Sequence, residues 1–363
     1  MPAPTVKIRS RDPLPPASPA QAKKVQIAAP RSILLVKTSS LGDVVHNLPV
    51  VSDLRRMFPA AQIDWVVEEA YADIPHLHPA VRRVIPVALR RWRKRLLTPA
   101  SWHEMRAARC ALQAEEYDLV LDTQGLLKSA LLVAMTRRSA SGRRCGYRRE
   151  AAREPLAALF YDQGFTIPKN LHAVERNRWL AAAACGYAPD LPFDYGLASL
   201  PAAARPEWLD ATPYAVLLTA TSRADKLWPE ERWLALIATL AARGLRSVLP
   251  AGSPAERERA QRLAAAPQTL PACVAPPLSI AALAGLCAGA QLVVGLDTGL
   301  THLAVALGRP TLALFSGSDP LLTGVYAGDP PATPLRNLGA DGAAPSAAAA
   351  CAAAETLLEL PPT

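Results

Sequence analysis

No C-x-x-C pair occurs in the 363-residue sequence; the six cysteines stand apart at 110, 145, 185, 273, 287 and 351. That scatter excludes a zinc ribbon or a thioredoxin-type motif and reads as reduced thiols, not a disulfide framework. Long hydrophobic runs are missing too. The most apolar segment, Leu278 to Leu296, is broken by Ser279, Gly285, Gly289, Gln291 and Gly295. A buried helix followed by a strand explains it better than a membrane span. Neither G-x-G-x-x-G nor G-x-x-x-x-G-K-[ST] is present, so a dinucleotide fingerprint and a P-loop ATPase are unsupported. No Asp-x-Asp pair occurs, which removes a common way of holding a divalent ion on a nucleotide diphosphate. Acids are the scarcer charge, 31 against 40 Lys and Arg, and the net +9 favours an anionic partner: nucleic acid, a phosphorylated ligand or acidic lipid.

What is present is a twofold alternation of short apolar runs with longer amphipathic ones. Residues 1–30 hold seven prolines and no apolar stretch, and read as a disordered tail instead of a signal peptide. Strands are expected at 32–37, 62–67 and 117–122, with helices near 42–57, 101–115, 126–135 and 173–184. After a proline-rich linker over 189–213, strands are expected at 214–219, 245–250, 291–296 and 311–315. Helices near 230–243, 255–265, 279–288 and 299–307 separate them, and an alanine-rich helix or tail fills 346–363. The pattern predicts an α/β protein with two doubly wound parallel sheets, in domains 31–188 and 214–345. Ligands are then expected at the carboxyl ends of the strands and in the cleft between.

Three turns suit anions. The first follows the first strand, Lys37-Thr-Ser-Ser-Leu-Gly-Asp43, where Ser39, Ser40 and Gly42 lead into a helix N-terminus. Asp43 reads either as a helix N-cap or as a carboxylate able to take a proton from a hydroxyl. His46, one turn on, is a rival base with a structural alternative. The second, Thr219 to Pro229, places Thr221, Ser222 and Lys226 where a diphosphate needs donors and a positive group, or else merely organises a turn. The third, Asp297-Thr298-Gly299, opens a helix through His302, with Asp297 alternatively an N-cap. Together the three turns point to a nucleotide-diphosphate ligand. Arg82–Arg95 adds seven basic residues with no acid among them, and Arg137–Arg153 seven arginines with only Glu150. A bound polyanion is as consistent with these runs as a solvated face.

The ordered set K-T-S-S-L-G-D-V-V-H (37–46), D-W-V-V-E-E (64–69), R-R-W-R-K (90–94), D-T-Q-G-L-L-K-S (122–129), A-R-E-P-L-A (152–157) and H-A-V-E-R (172–176) resembles the lipopolysaccharide heptosyltransferases, type I most closely. So do D-K-L-W-P-E (225–230), G-S-P-A-E-R-E-R-A (252–260) and D-T-G-L-T-H-L (297–303). The resemblance runs from about residue 31 to 330. It implies a GT-B glycosyltransferase of family nine, two Rossmann-like domains around a cleft. Such enzymes invert the anomeric centre without a metal, moving L-glycero-D-manno-heptose from ADP-heptose to the inner Kdo of Kdo-lipid A. By that resemblance Asp43 is the base, and Lys226, Thr221 and Ser222 hold the diphosphate and sugar. Thr298 and Gly299 take the phosphates, Glu256 the ribose and Asp297 the heptose hydroxyls, with His302 nearby. Leu278 takes the place of an adenine-packing methionine, Thr219 that of a histidine and Ala224 that of an acid. Arg90, Arg91, Arg93, Lys94 and Lys128 are candidates for the acidic acceptor, with Ser39, Ser40, Gly42 and Gln124 lining its side. The resemblance also implies a Gram-negative, cytoplasmic enzyme resting on the anionic face of the inner membrane, with no nucleic acid partner. A heptosyltransferase II-type enzyme acting on a later acceptor, and a non-enzymatic polyanion- or RNA-binding protein, are the alternatives.

Overall fold

Leucine- and valine-rich runs become buried strands where helices can cover both faces, and the chain does this twice. The computed structural model describes residues 29–95, 98–197, 205–221, 223, 226–340 and 342–360. All but the last two residues of the proline-rich start, together with Ser222, Ala224 and Asp225, lie outside those residues.

The first domain runs β1 (Ser32–Val36), α1 (Leu41–Val45), α2 (Leu48–Met57), β2 (Gln62–Glu68), α3 (Asp73–His76), β3 (Val81–Val87), α4 (Leu89–Lys94), α5 (Pro99–Gln113) and β4 (Glu116–Asp122). It continues through α6 (Leu127–Met135), β5 (Arg137–Tyr147), a 3-10 helix (Pro155–Phe160), β6 (Gln163–Phe165) and α7 (Ala173–Cys185). The second runs β7 (Tyr214–Leu218), α8 (Glu230–Ala242), β8 (Arg246–Leu249), α9 (Pro254–Ala264), β9 (Cys273–Val274) and α10 (Ile280–Ala288). There follow β10 (Leu292–Leu296), α11 (Gly299–Ala306), β11 (Thr311–Phe315), α12 (Pro320–Thr323), β12 (Leu335–Gly339) and α13 (Ala347–Glu359). The sheets are ordered β3-β2-β1-β4-β5-β6 and β12-β11-β10-β7-β8-β9, and every named strand pair is parallel. The strand order of each sheet reverses once, between β1 and β4 and between β10 and β7, and such a point opens a crevice at the strand ends.

Several elements depart from the pattern. The single helix expected over 42–57 is two, because Pro49 cannot donate within a helix and instead sits in the first turn of α2. Strands β3 and β5 were hidden by their arginines, which read as a solvated face. Strands β6, β9 and β12 are too short or too polar to stand out. Helix α13 buries Ala350, Ala354 and Leu357 with Trp233 and Leu236, so it belongs to the core of the second domain and is no loose tail. The described parts of the linker carry neither helix nor strand but bury Tyr195, Leu197 and Leu209. One apolar core crosses from Val44 and Val45 in the first domain to Leu303 and Ala304 in the second.

Two buried histidines set an acid limit on this fold. Burial is the first reason each ring is held below its ordinary value, His46 well below it and His78 at about 4. His78 fits the neutral form: Nδ1 accepts from the Ala80 amide at 3.1 Å and Nε2 meets Ser52 Oγ at 3.0 Å. The unfolded chain protonates both rings below about pH 6.5, so it binds more protons there and stability falls as pH drops. The loss is about 1.4 kcal/mol per pH unit for each ring until its folded value is reached. Thermal unfolding should show a falling midpoint below neutrality, and H46Q/H78Q should flatten that slope. An unchanged slope would refute the assignment.

Candidate active site in the interdomain cleft

At the end of β1 the chain turns through Thr38 to Ser40 into α1. Gln124, after β4, accepts from the Thr38 and Ser39 amides through Oε1 at 3.0 and 3.1 Å, and Gly125 turns at φ +66° just beyond it. Below the loop, Lys37 Nζ donates to Thr123 O at 2.8 Å; its pKa is lowered, first by burial, against the opposing charges of Asp43 and Asp122. Ser40, not Asp43, is the N-cap of α1. Asp43 sits at the third helical position and its Oδ2 accepts from the Ser40 amide (2.8 Å) and hydroxyl (3.0 Å), a capping box. Among the described residues its Oδ1 carries no hydrogen bond. Lys128 Nζ reaches Ser39 Oγ at 2.7 Å, and burial lowers its pKa against the charges of Glu68, Asp43 and Glu154. The Arg90 amide donates to Glu68 Oε1 at 3.0 Å and the Glu68 amide to Thr38 O at 3.1 Å, so Asp43, Lys128 and Arg90 border the same loop.

In the second domain, four of the donor-side candidates, Thr221, Glu256, Leu278 and Thr298, line a single cavity of about 270 Å³. Leu218, Pro250, Leu283 and Leu300 supply apolar wall beside them. Glu256 lies in the first turn of α9, whose N-cap is Ser253: the Glu256 amide donates to Ser253 Oγ at 3.3 Å while its Oε2 takes the Gly252 amide at 2.8 Å. Lys226 Nζ lies 2.5 Å from Asp297 Oδ2, which also accepts from Ser318 Oγ at 2.6 Å. Burial pushes the Asp297 carboxyl up, yet the nearby His302 and the hydrogen bonds from Lys226 and Ser318 outweigh it and hold the group below the usual range. The part of Ser318 was not foreseen; its place after β11, beside the end of β10, was the available signal.

The two halves meet N-terminus to N-terminus through α1 and α11. His46 Nε2 lies 3.1 Å from His302 Nδ1, and His302 Nε2 is 3.9 Å from Asp297 Oδ1. His46 is buried and partnered with His302, so it does not stand at the mouth as a rival base. Gly42, expected on the acceptor side, faces this seam instead: a Cβ there would sit 3.3 Å from His302 Cδ2. At Gly299 a Cβ would lie 2.4 Å from Leu41 Cγ and 2.6 Å from the Gly42 nitrogen. G299A should therefore cost about 1–3 kcal/mol of stability and part the helices. Chemical denaturation measures it, and wild-type stability would show the seam to be loose.

Space supplies the carboxylates that the basic runs lack in sequence. Arg82 and Arg83 converge on Asp64. Arg91 pairs with Glu69 at 2.9 and 3.0 Å and with both oxygens of Glu104 at 2.7 Å, which commits it to holding α4 in place instead of leaving it open to an anion. Arg137 pairs with Glu116, and Arg138 with Asp162 at 2.9 Å. Arg90 spends a guanidinium hydrogen on Tyr71 OH at 2.8 Å. Arg93 and Lys94 are exposed and have no acidic partner among the described residues.

With that geometry in place, comparison with known proteins decides the family. Residues 105–344 match "Glycosyltransferase family 9 (heptosyltransferase)". The chain belongs to glycosyltransferase family 9. Lipopolysaccharide heptosyltransferase 1 of Escherichia coli (strain K12) is 49% identical over 295 residues, 81% of this chain and 90% of that protein. Its namesake in Pseudomonas aeruginosa is 49% identical over 298 residues, 81% of each. The solved structure of E. coli heptosyltransferase WaaC with ADP superposes with a TM-score of 0.79 at 43% identity, over 90% of this chain and 99% of that one. The family 9 chain therefore has the GT-B arrangement of two Rossmann-like domains and is a glycosyltransferase.

Proposed function

We propose that this enzyme moves heptose from ADP-heptose to the inner Kdo of Kdo-lipid A, the first heptose of the lipopolysaccharide core. The observation that carries the reading is the cavity at the end of β7, β8 and β10, where Thr221, Glu256, Leu278 and Thr298 meet beside Lys226 and Asp297. Leu278 with its apolar neighbours suits an adenine face, and Glu256 suits ribose hydroxyls. The diphosphate then falls toward the N-terminus of α11, whose free amides and dipole favour negative charge.

Across the seam, Asp43 takes the proton from the acceptor hydroxyl as its oxygen attacks the anomeric carbon. The bond from that carbon to the diphosphate oxygen breaks, and ADP leaves with its charge met by Lys226 and the α11 amides. Attack opposite the leaving group inverts the centre, the same logic as inverting hydrolysis with a sugar in place of water. In this scheme the protein's own cation and amides meet the developing charge, so no metal is assigned a step. Lys128, Arg90, Arg93 and Lys94 are assigned to the carboxylate and phosphates of the acceptor in this reading. Such an acceptor is presented at the cytoplasmic face of the inner membrane; among the described residues no helix is long and apolar enough to cross one.

ADP release by the purified enzyme given ADP-heptose, with and without Kdo-lipid A, tests this. Release only with Kdo-lipid A is expected. Release only with an acceptor already carrying the first heptose would move the enzyme to the later step.

A further inference from the structure

Beside the acceptor mouth lies a surface that the transfer reaction does not use. The connection from β5 to β6 holds the 3-10 helix Pro155–Phe160, in which Leu156 and Leu159 are 56% and 76% exposed while Ala157 between them is buried. Residues three apart eclipse in a 3-10 helix, so the two leucines stand on one face. That helix packs along α6, where Leu131 is 47% exposed. Leu131 is one turn on from Lys128, on the same face of α6, and Lys128 reaches the Ser39 loop. Glu154 fixes the two elements together by accepting the Leu127 amide at 2.6 Å.

The surroundings of these leucines are basic. Arg148, Arg149 and Arg153 lie in the same connection, all exposed, and none forms a salt bridge among the described residues. The two glutamates of the connection are hydrogen-bonded elsewhere, Glu150 accepting from Thr166 Oγ1 at 2.6 Å and Glu154 from the Leu127 amide, with the Arg148 charge acting on Glu150. This contrasts with Arg82, Arg83, Arg91, Arg137 and Arg138, which carboxylates hold. Apolar side chains presented to solvent on a connection that carries three exposed arginines match an anionic bilayer surface, where leucines enter the acyl boundary and arginines remain at the headgroups. A neutral protein partner would gain nothing from the arginines.

We propose that Leu131, Leu156 and Leu159, with Arg148, Arg149 and Arg153, form the membrane-docking face of the enzyme. It sets the Asp43 mouth against the leaflet so that a lipid-borne acceptor is reached without leaving the bilayer. This rests on the reading of the acceptor as a lipid.

The test uses the full-length enzyme, L156S/L159S, and R148Q/R149Q. Each is sedimented with vesicles of phosphatidylcholine alone or with phosphatidylglycerol, and assayed for ADP release with Kdo-lipid A and with its fully deacylated derivative. Wild type should bind the anionic vesicles, and each double variant about tenfold or more weakly. The kcat/KM of the serine variant should fall on the acylated acceptor in vesicles and stay at wild type on the deacylated one. Leu159 is so exposed that L159S alone, checked by thermal unfolding, controls for misfolding. Wild-type vesicle binding by both double variants overturns the proposal, as does an equal loss on the two acceptors. So does wild type that ignores vesicles but loses a dimer on L156S/L159S, which would make the face a contact between copies. If no acceptor releases ADP, the transfer reading fails, and vesicle binding alone still judges the docking face.

Discussion

Replacing Asp43 with asparagine should lower turnover by about 10²–10⁴-fold, with the KM for ADP-heptose little changed. Two roles meet in this side chain and the substitution separates them. Oδ2 closes the capping box with Ser40, and an asparagine oxygen can accept the same amide at 2.8 Å. What asparagine lacks is a basic oxygen to take the acceptor proton. D43N should therefore unfold within about 1 kcal/mol of wild type while losing the chemical step, whereas D43A loses the cap as well. Stopped turnover with an intact melting curve supports the base role. Turnover kept at wild-type level in D43N removes Asp43 from the chemistry and leaves it a helix cap. The seam adds a constraint: Asp43 lies in α1 and His46 is its C-cap, and His46 is tied to His302 of the other domain. The position of the base is thereby linked to the side of the cleft that holds the donor.

Lys226→Ala should impair both donor binding and turnover, lowering kcat/KM by about 10²–10³-fold. The ammonium rests on Asp297, itself supported by Ser318. A diphosphate would compete for that cation, and the charge that develops on it as the glycosidic bond breaks needs the cation more in the transition state than in the ground state. Loss of the lysine also leaves a mostly buried carboxylate with one partner fewer. Because the folded pKa of Asp297 is depressed, the stability it contributes is present above the ordinary carboxylate range and is lost only as pH falls through its folded value. Arginine at 226 should restore affinity in part, its larger planar fork fitting the pocket less well. A change in KM alone would limit Lys226 to ground-state binding, and no change in either constant would return it to the surface.

Local signals carried much of this site. The strands β1, β7 and β10 are unbroken apolar runs, and each is followed by a turn of small or hydroxylated residues, so the place of Asp43, Thr221 and Thr298 could be read directly. Periodicity also marked α6, α8 and α9. What sequence could not disclose lies in pairs far apart along the chain. Arg91 reads as a free cation until Glu69 and Glu104 fold onto it, and β3 and β5 read as charged surface because their arginines find partners only in space. Gly42 and Gly299 fall in plausible phosphate turns; only the packing of α1 on α11 reveals that they are small because the two domains touch there. His46 and His302 are 256 residues apart, beyond any local pattern.

The measurement that tests the central claim most directly is mass spectrometry and proton NMR of Kdo-lipid A recovered after reaction with ADP-heptose. The account predicts an acceptor heavier by one heptose, linked to the inner Kdo with the anomeric configuration opposite to that of the donor. An unchanged acceptor with ADP released would indicate hydrolysis of the donor, and a retained configuration would contradict direct displacement with Asp43 as the base.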